Sequence, residues 1–402
     1  MAMDEAYTVK DMDFVVVGLQ AWDLPIGSNC KNIALEMSKH NRVLYVNAPL
    51  DRNTLLKKKN DPLVQKRINI AEGKEFQVQK VQENLWQFFP NCRIESINML
   101  PDGFLFDFFN KRNNRKFAAE IKKGIKELGF KDFTLFNDSD MFRSFYLKEL
   151  LQPKQYIYYT RDNLLAVDYW KKHGLRLEPA LMAKVDLVTA NSVYLARVAQ
   201  KHNPKSYYVG QGCETDQFSA AIHHDEPEDI KHINRPRVGY IGALYGLRLD
   251  VKLLENIARQ RPQWNLVLVG PEDDAFKNSS LHQMENVFFT GAKKPDELPS
   301  YLSYFDVALN PQVLNEVTIG NYPRKIDEYL AMGKPTVATK TEAMEIFDGY
   351  VYLATDENDY LAMIEQALNE NDAELKQKRI TFAQSHTWEN SVAEIYKAMD
   401  SK

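Results

Sequence analysis

The sequence predicts an α/β protein built as two doubly wound, Rossmann-like halves. Three observations carry that prediction. The chain has 402 residues, more than one hydrophobic core ordinarily organises. Short apolar runs alternate with amphipathic stretches along most of it, the order that gives parallel sheets with helices on both faces. The alternation stops across residues 220–236, where acids, histidines and asparagines displace apolar residues.

The first half opens with a strand over residues 14–18. A loop holding Trp22, Pro25, Gly27 and Ser28 leads into a helix over 29–39, and a second strand follows at 42–46. Residues 134–136 and 156–159 read as later strands of the same sheet. Residues 186–190 form another, before a helix that Ser192 caps, and 207–209 closes the half. The second half begins with a strand at 237–241 and a helix at 251–259. Strands at 264–269 and 286–289 follow, then a helix at 298–304 and a strand at 307–309. A helix at 323–332, a strand at 336–338 and helices at 360–368 and 388–399 finish the chain. The expected division is therefore 1–219, a linker at 220–236, and 237–385, with residues 386–402 packing back on the first half. In such folds ligands bind outside the carboxyl ends of the strands.

Composition narrows the class. The N-terminal residues are acidic and carry no apolar run after a basic flank, so no secretory leader is expected. No apolar stretch approaches the roughly 18 residues that a membrane span needs. Cys30, Cys92 and Cys213 are scattered, which suits a reducing, cytoplasmic setting better than a disulfide frame or zinc site. Residues 1–200 hold 30 Lys and Arg against 24 Asp and Glu, and the remainder 21 against 31, so the halves carry +6 and −10. They are expected to meet different partners. The basic excess is too small for nucleic acid, and no nucleic-acid motif accompanies it.

The second half carries most of the chemistry. Its first strand ends in Gly242, Ala243 and Leu244, with Gly246 and Arg248 beyond. A glycine directly after a strand lets backbone N–H groups approach a phosphate, aided by the next helix's dipole. A tight turn without a ligand would use the same residue. The stretch from Asn310 to Thr339 is more specific. Gly320, Asn321 and Tyr322 run into a helix with Pro323 in its first turn. Lys325 and Glu328 lie three apart, on one face near the helix's positive end. A lysine there can neutralise a diphosphate, and a carboxylate one turn deeper can accept hydrogen bonds from ribose hydroxyls. A surface ion pair is the plainer alternative.

In order, Gly239-Tyr240-Ile241-Gly242, Leu266-Val267-Leu268-Val269-Gly270-Pro271, residues 286–291, 297–302 and 306–311, and Glu328-Tyr329-Leu330-Ala331-Met332-Gly333-Lys334-Pro335 closely resemble the donor domain of GT-B glycosyltransferases. The likeness is to family 4-like enzymes, especially the teichuronic-acid glycosyltransferase subgroup. It covers residues 237–340, and more weakly 22–49 and 156–218, where residues 209–214 stand in for the usual Pro-Asn-Gly-Val-Asp element. Residues 51–150 have little recognisable character. The resemblance implies two Rossmann-like domains facing across a cleft. It implies a metal-independent, hexosyltransferase-type reaction with no cofactor, its donor a nucleotide-diphosphate sugar of UDP or GDP type. Gly242 and Ala243 would meet the distal phosphates, Lys325 the diphosphate and Glu328 the ribose. Phe289 and Gly291 would flank the base, and Arg248, Gly270, Asn321 and Tyr322 belong to the donor side. Many family 4 enzymes place another glutamate eight residues before the ribose-binding one. Here that position is Gly320, as in the teichuronic subgroup, so the sugar contacts and the choice between retention and inversion stay open.

In the first half, Thr160-Arg161-Asp162-Asn163 follows a strand. Asp162 is the candidate general base for the acceptor hydroxyl in an inverting reaction. In a retaining one the departing phosphate would take the proton, and Asp162 would position the acceptor. Asp138, Ser139 and Asp140 compete for the role, and an Asp-Asn turn would explain the same residues. Trp22, Gly27, Ser28 and Arg161 are placed on the acceptor side. Asp138-Ser139-Asp140 fits a metal-binding Asp-x-Asp pattern but lies in the wrong half to meet a diphosphate, so no metal site is expected. The aromatic run 100–109 leads into Lys111, Arg112, Arg115, Lys116, Lys122 and Lys123. Such a segment suits an anionic membrane surface, each cation contributing about 1 kcal/mol. A helix that buries its aromatics is the alternative. The functional expectation is a transferase of surface polysaccharide synthesis, acting on a glycan or lipid-linked acceptor at the inner face of the membrane. A nucleotide-sugar 2-epimerase and a non-catalytic nucleotide-sugar-binding protein are the competing readings.

Overall fold

The computed structural model describes residues 7–24, 27–213 and 215–401. Pro25, named above, and Glu214, the last residue of the 209–214 element, lie outside them. The chain divides into two compact units, Met1–Gly210 with Trp388–Lys402, and Gln211–Thr387.

The first unit holds an eight-stranded sheet. Its order runs from Ser206–Tyr208 through Leu187–Ala190, Gln155–Thr160, Thr134–Asp138, Asp13–Val17, Arg42–Val46 and Leu85–Phe88 to Val78–Gln82. Every neighbour pair is parallel except the last. A parallel sheet covered on both faces needs apolar residues at successive positions, and the first strand supplies them. Val15 and Val17 enter the core under the helices Phe104–Leu128 and Asp168–Lys184. Phe14 and Val16 enter the other, with the helix Asn29–Met37. The terminal helix Trp388–Asp400 packs on that second face through Val392, Ile395 and Tyr396. The Asn41 amide donates to the Tyr396 hydroxyl at 3.1 Å.

The second unit holds six parallel strands in the order Val287–Gly291, Asn265–Val269, Arg237–Ile241, Val307–Asn310, Thr336–Thr339 and Tyr352–Ala354. Here the sequence-based division needs correction. Residues 211–236, read as the end of the first half and a linker, belong to the second unit. Phe218, Ile230 and Ile233 are buried in its core. The Arg237 guanidinium donates to the Ile233 carbonyl at 2.9 and 2.7 Å, and Tyr301 donates to Asp229 at 2.8 Å. A few well-spaced apolar residues suffice to bury a segment whose composition is otherwise polar.

The region 51–150, which the sequence left uncharacterised, contains the 25-residue helix Phe104–Leu128, ended by Gly129 in the left-handed conformation. It also holds the antiparallel pair Val78–Gln82 and Leu85–Phe88 at the sheet edge. Among the described residues, no helix is long and apolar enough to cross a membrane.

One buried acid sits against this first sheet. Glu178 accepts a 2.7 Å hydrogen bond from Tyr158, and burial pushes its carboxyl up to about 7. Above the ordinary pKa of 4.5 the unfolded chain releases this proton while the native state keeps it. Stability is therefore lost as pH rises toward 7, by roughly 3 kcal/mol at full effect. Glu178→Gln should remove that pH dependence and stabilise the protein at pH 8. Parallel urea-midpoint profiles for both proteins between pH 5 and 8 would contradict this.

Candidate functional site

In the second unit the ends of two adjacent strands meet at glycine. Gly242 has φ +141° and Gly270 φ +151°, conformations that favour glycine. A Cβ on Gly270 would lie 1.9 Å from the Gly242 carbonyl oxygen, so the two backbones touch where any other residue would separate them. The pairing continues past the strands, Gly242 donating to Val269 at 2.9 Å and Leu244 to Pro271 at 2.8 Å.

The helix Arg324–Ala331 aims at this point. Ile326, Tyr329 and Leu330 are buried in the core. Tyr329 receives the Ile241 N–H at 3.0 Å, which fixes the helix against the strand end. One turn earlier, the Lys325 ammonium donates to the Tyr240 hydroxyl and lies 4.2 Å from that ring's centroid. A Cβ on Gly242 would come within 2.7 Å of the same ammonium. The structure thus brings Gly242, Gly270, Lys325 and Tyr240 together, of which Tyr240 was not anticipated. Among the described residues Lys325 has no ion-pair partner. Glu328 stands one turn deeper, 3.9 Å from Arg324, and burial pushes its carboxyl above the usual range.

Behind the helix lies a buried network that the sequence did not reveal. Asp327, fully buried, accepts from Tyr322 at 2.8 Å and Cys213 at 3.0 Å, and pairs with His386 Nδ1 at 2.6 Å. Burial, then the Asp327 charge, holds the Cys213 thiol well above its ordinary pKa. The hydroxyl of Tyr322, a residue read as donor-side, thus donates to Asp327. Pro323 is the helix N-cap residue rather than part of the first turn. Asn321, just before this helix, and the buried Asn310, at the end of its strand, each keep side-chain polar atoms without a hydrogen-bond partner among the described residues. Phe289 stacks on His282 at 4.0 Å, and Gly291, at φ +73°, ends its strand. Ala243 follows the Gly242 contact, and Arg248 is solvent-exposed in the next turn.

In the first unit the strand ends are joined by charge. Arg161 Nε donates to buried Asp138 at 2.9 Å, and Nη1 reaches Asp162 at 2.9 Å. The other Asp138 oxygen accepts the Leu19 N–H at 3.3 Å. Asp138 is thus held by an arginine, while the Asp162 side chain remains 42% exposed. Asp140 accepts the Phe142 and Arg143 N–H groups and pairs with Arg143. Both competitors of Asp162 are therefore committed to structural partners. Two residues read as acceptor-side make structural contacts. Ser28 caps the helix Asn29–Met37, accepting from Lys31 N–H, and Arg161 is turned onto Asp138. Trp22 packs edge-on against Tyr45 at 5.0 Å, and Gly27 is exposed.

The aromatic, basic segment divides. Phe106 is buried, stacked on His173 at 3.8 Å, whereas Phe104, Leu105 and Phe108 are exposed, as is Met99 just before them. Lys111, Arg112 and Arg115 are exposed on the same helix.

Residues 235–370 match the family of glycosyl transferases group 1. The chain is 29% identical over 250 residues to TuaH of Bacillus subtilis (strain 168), whose name describes a teichuronic acid biosynthesis glycosyltransferase. The match covers 59% of this chain and 62% of that relative's length. Among solved structures, a trehalose-6-phosphate protein of E. coli bound with UDP-2-fluoro glucose is similar with a TM-score of 0.67 at 12% identity, covering 97% of this chain and 99% of the other. Anabaena HepE in complex with UDP matches at 0.65 and 14%, covering 97% and 100%. The fold is GT-B.

The glycine contact yields a test. Gly270→Ala meets backbone, so overpacking and positive-φ strain should together cost about 2–5 kcal/mol. Gly242→Ala meets only the far ends of the Lys325 and Tyr240 side chains and should cost less. A thermal melt that falls equally in both variants would contradict this geometry.

Proposed function

From the GT-B fold and the glycosyl transferases group 1 domain, we propose that this protein moves a sugar from a nucleotide diphosphate to a glycan or lipid-linked acceptor in surface polysaccharide synthesis. One observation carries the donor side: the Lys325 ammonium, without an ion-pair partner among the described residues, stands against the glycine-formed strand end at Gly242. An unpaired cation in a partly buried position gains most from an anion, and a diphosphate supplies two charges. Glu328 takes the ribose hydroxyls. UDP is the favoured nucleotide, since UDP occupies the similar Anabaena protein. In the first unit, half-exposed Asp162 serves the acceptor hydroxyl. In an inverting course it accepts the proton as the acceptor oxygen bonds to the anomeric carbon and the nucleotide diphosphate departs. In a retaining course the departing phosphate takes the proton, and Asp162 orients the hydroxyl. Lys325 and backbone N–H groups supply the positive charge, so no metal is required. Exposed Phe104, Leu105 and Phe108, with Lys111, Arg112 and Arg115, rest on the anionic inner face of the membrane.

Lys325→Ala should weaken UDP binding by roughly 2–3 kcal/mol, the scale of a charge-assisted hydrogen bond. Isothermal titration of both proteins in the presence of a chelator checks this, and equal affinities would remove Lys325 from the site.

Binding to vesicles of anionic phospholipid should fall as salt rises, because the attraction is screened beyond about 10 Å at 0.1 M. It should fall further in Phe104→Ser/Phe108→Ser. Cosedimentation that stays absent at every salt concentration would exclude the membrane contact.

A further inference from the structure

We propose that a cavity of about 530 Å³ lying wholly within the first unit binds a neutral pyranosyl unit of the acceptor, an assignment that rests on the transferase reading above. Its volume falls within the roughly 300–1,000 Å³ of small-molecule sites.

Its position is suitable. The walls include Leu19, whose N–H bonds Asp138, and Asp140, two residues further along the same turn. Asp138 holds Arg161, and Arg161 holds Asp162. The cavity thus adjoins the strand ends that carry the candidate base.

Its chemistry is that of a sugar site. Trp170 and Phe142 form an aromatic wall, stacked at 5.2 Å. The C–H faces of a pyranose pack on such a surface, while its rim of hydroxyls needs polar partners. Two asparagines offer them. Asn110 is 1% exposed, and its Oδ1 accepts from the Asn114 amide at 3.2 Å, which leaves Nδ2 as a donor without a partner. The Asn98 amide donates to the Tyr169 carbonyl at 3.1 Å, which leaves a buried Oδ1 as an acceptor without a partner. Protein contacts orient both amides, and they offer one donor and one acceptor, the complement of hydroxyls that both donate and accept. Buried polar groups are expected to find partners.

Its charge selects against anions. Asp51, Glu95 and Asp140 line the cavity with Arg143 as the one lining cation; Arg143 pairs with Asp140 and Arg52 with Glu95, which leaves the Asp51 charge uncompensated. A phosphate or nucleotide would face a net negative wall, whereas a neutral glycoside would not. The exposed residues Met99 and Tyr169 also line the cavity, and Met99 lies in the loop leading to Phe104.

The test is ligand-observed NMR on the full chain, with the methyl glycosides of glucose, galactose, mannose and N-acetylglucosamine as probes and UDP titrated separately. At least one glycoside should bind saturably in the millimolar range. Asn98→Ala and Trp170→Leu should each weaken it about tenfold, the scale of one lost hydrogen bond or stacking contact. Both variants should keep wild-type UDP affinity, and an unchanged far-UV circular dichroism spectrum and thermal melt show that the first unit, which holds the cavity, also remains folded. UDP binding without any glycoside binding, or glycoside binding unchanged in both variants, overturns the cavity assignment, the orphaned amides then holding water only. Glycoside binding lost in the variants, without UDP binding by the wild type, upholds the cavity as a sugar site and instead removes the donor reading.

Discussion

The strand ends of the second unit depend on the contact between Gly242 and Gly270. Two parallel strand ends can approach this closely only where neither carries a Cβ. Their approach leaves space that the Lys325 ammonium fills, resting on Tyr240. Tyr329 fixes the helix to the strand backbone from the next turn, so the lysine's reach is set by two hydrogen-bonded tyrosines rather than by its own flexible stem. Asp327 completes the arrangement from behind. Three hydrogen-bonding partners, from Cys213, Tyr322 and His386, converge on one buried carboxylate and tie the incoming and outgoing segments of the second unit to the same helix. A charged face and a buried face thus share eight residues of helix.

The first unit uses charge differently. Arg161 bridges Asp138 and Asp162, so one aspartate is neutralised in the interior and the other is presented near solvent. That division distinguishes carboxylates that look equivalent in the sequence, Asp138 buried and Asp162 partly exposed. The adjoining cavity follows the same logic. Its aromatic wall comes from residues packed on the sheet-covering helices, and its asparagines are oriented by bonds to neighbours. The helix Phe104–Leu128 contributes to both core and surface, since Phe106 and Phe108 sit on opposite sides of it. A run of aromatics in sequence cannot show which of them face the core.

The alternation of strands and helices was legible because it follows from local rules. Apolar runs long enough for a doubly buried strand, capping residues such as Ser192, and glycines after strands all leave signals within a few residues. Lys325 and Glu328 were legible for the same reason, since helical periodicity alone puts them on one face. The edge strand Val78–Gln82 was not, because an edge strand with solvent on one side carries Gln and Lys and lacks a continuous apolar run. Residues 211–236 were misassigned because composition reports how many apolar residues a segment has, not whether Phe218, Ile230 and Ile233 all reach one core.

What the sequence determined by itself is therefore the fold class, the order of the elements and the helix that carries Lys325 and Glu328. Each of these is set by neighbours along the chain. Only the tertiary structure decided that Tyr322 turns inward to Asp327, that Cys213 and His386 meet there, that Arg161 reaches Asp138, and that Asn98 and Asn110 line one cavity. Those pairs are separated by up to 173 positions, as between Cys213 and His386. Long-range convergence is set by how helices pack on the sheets, and no local pattern encodes which distant partner a side chain will find.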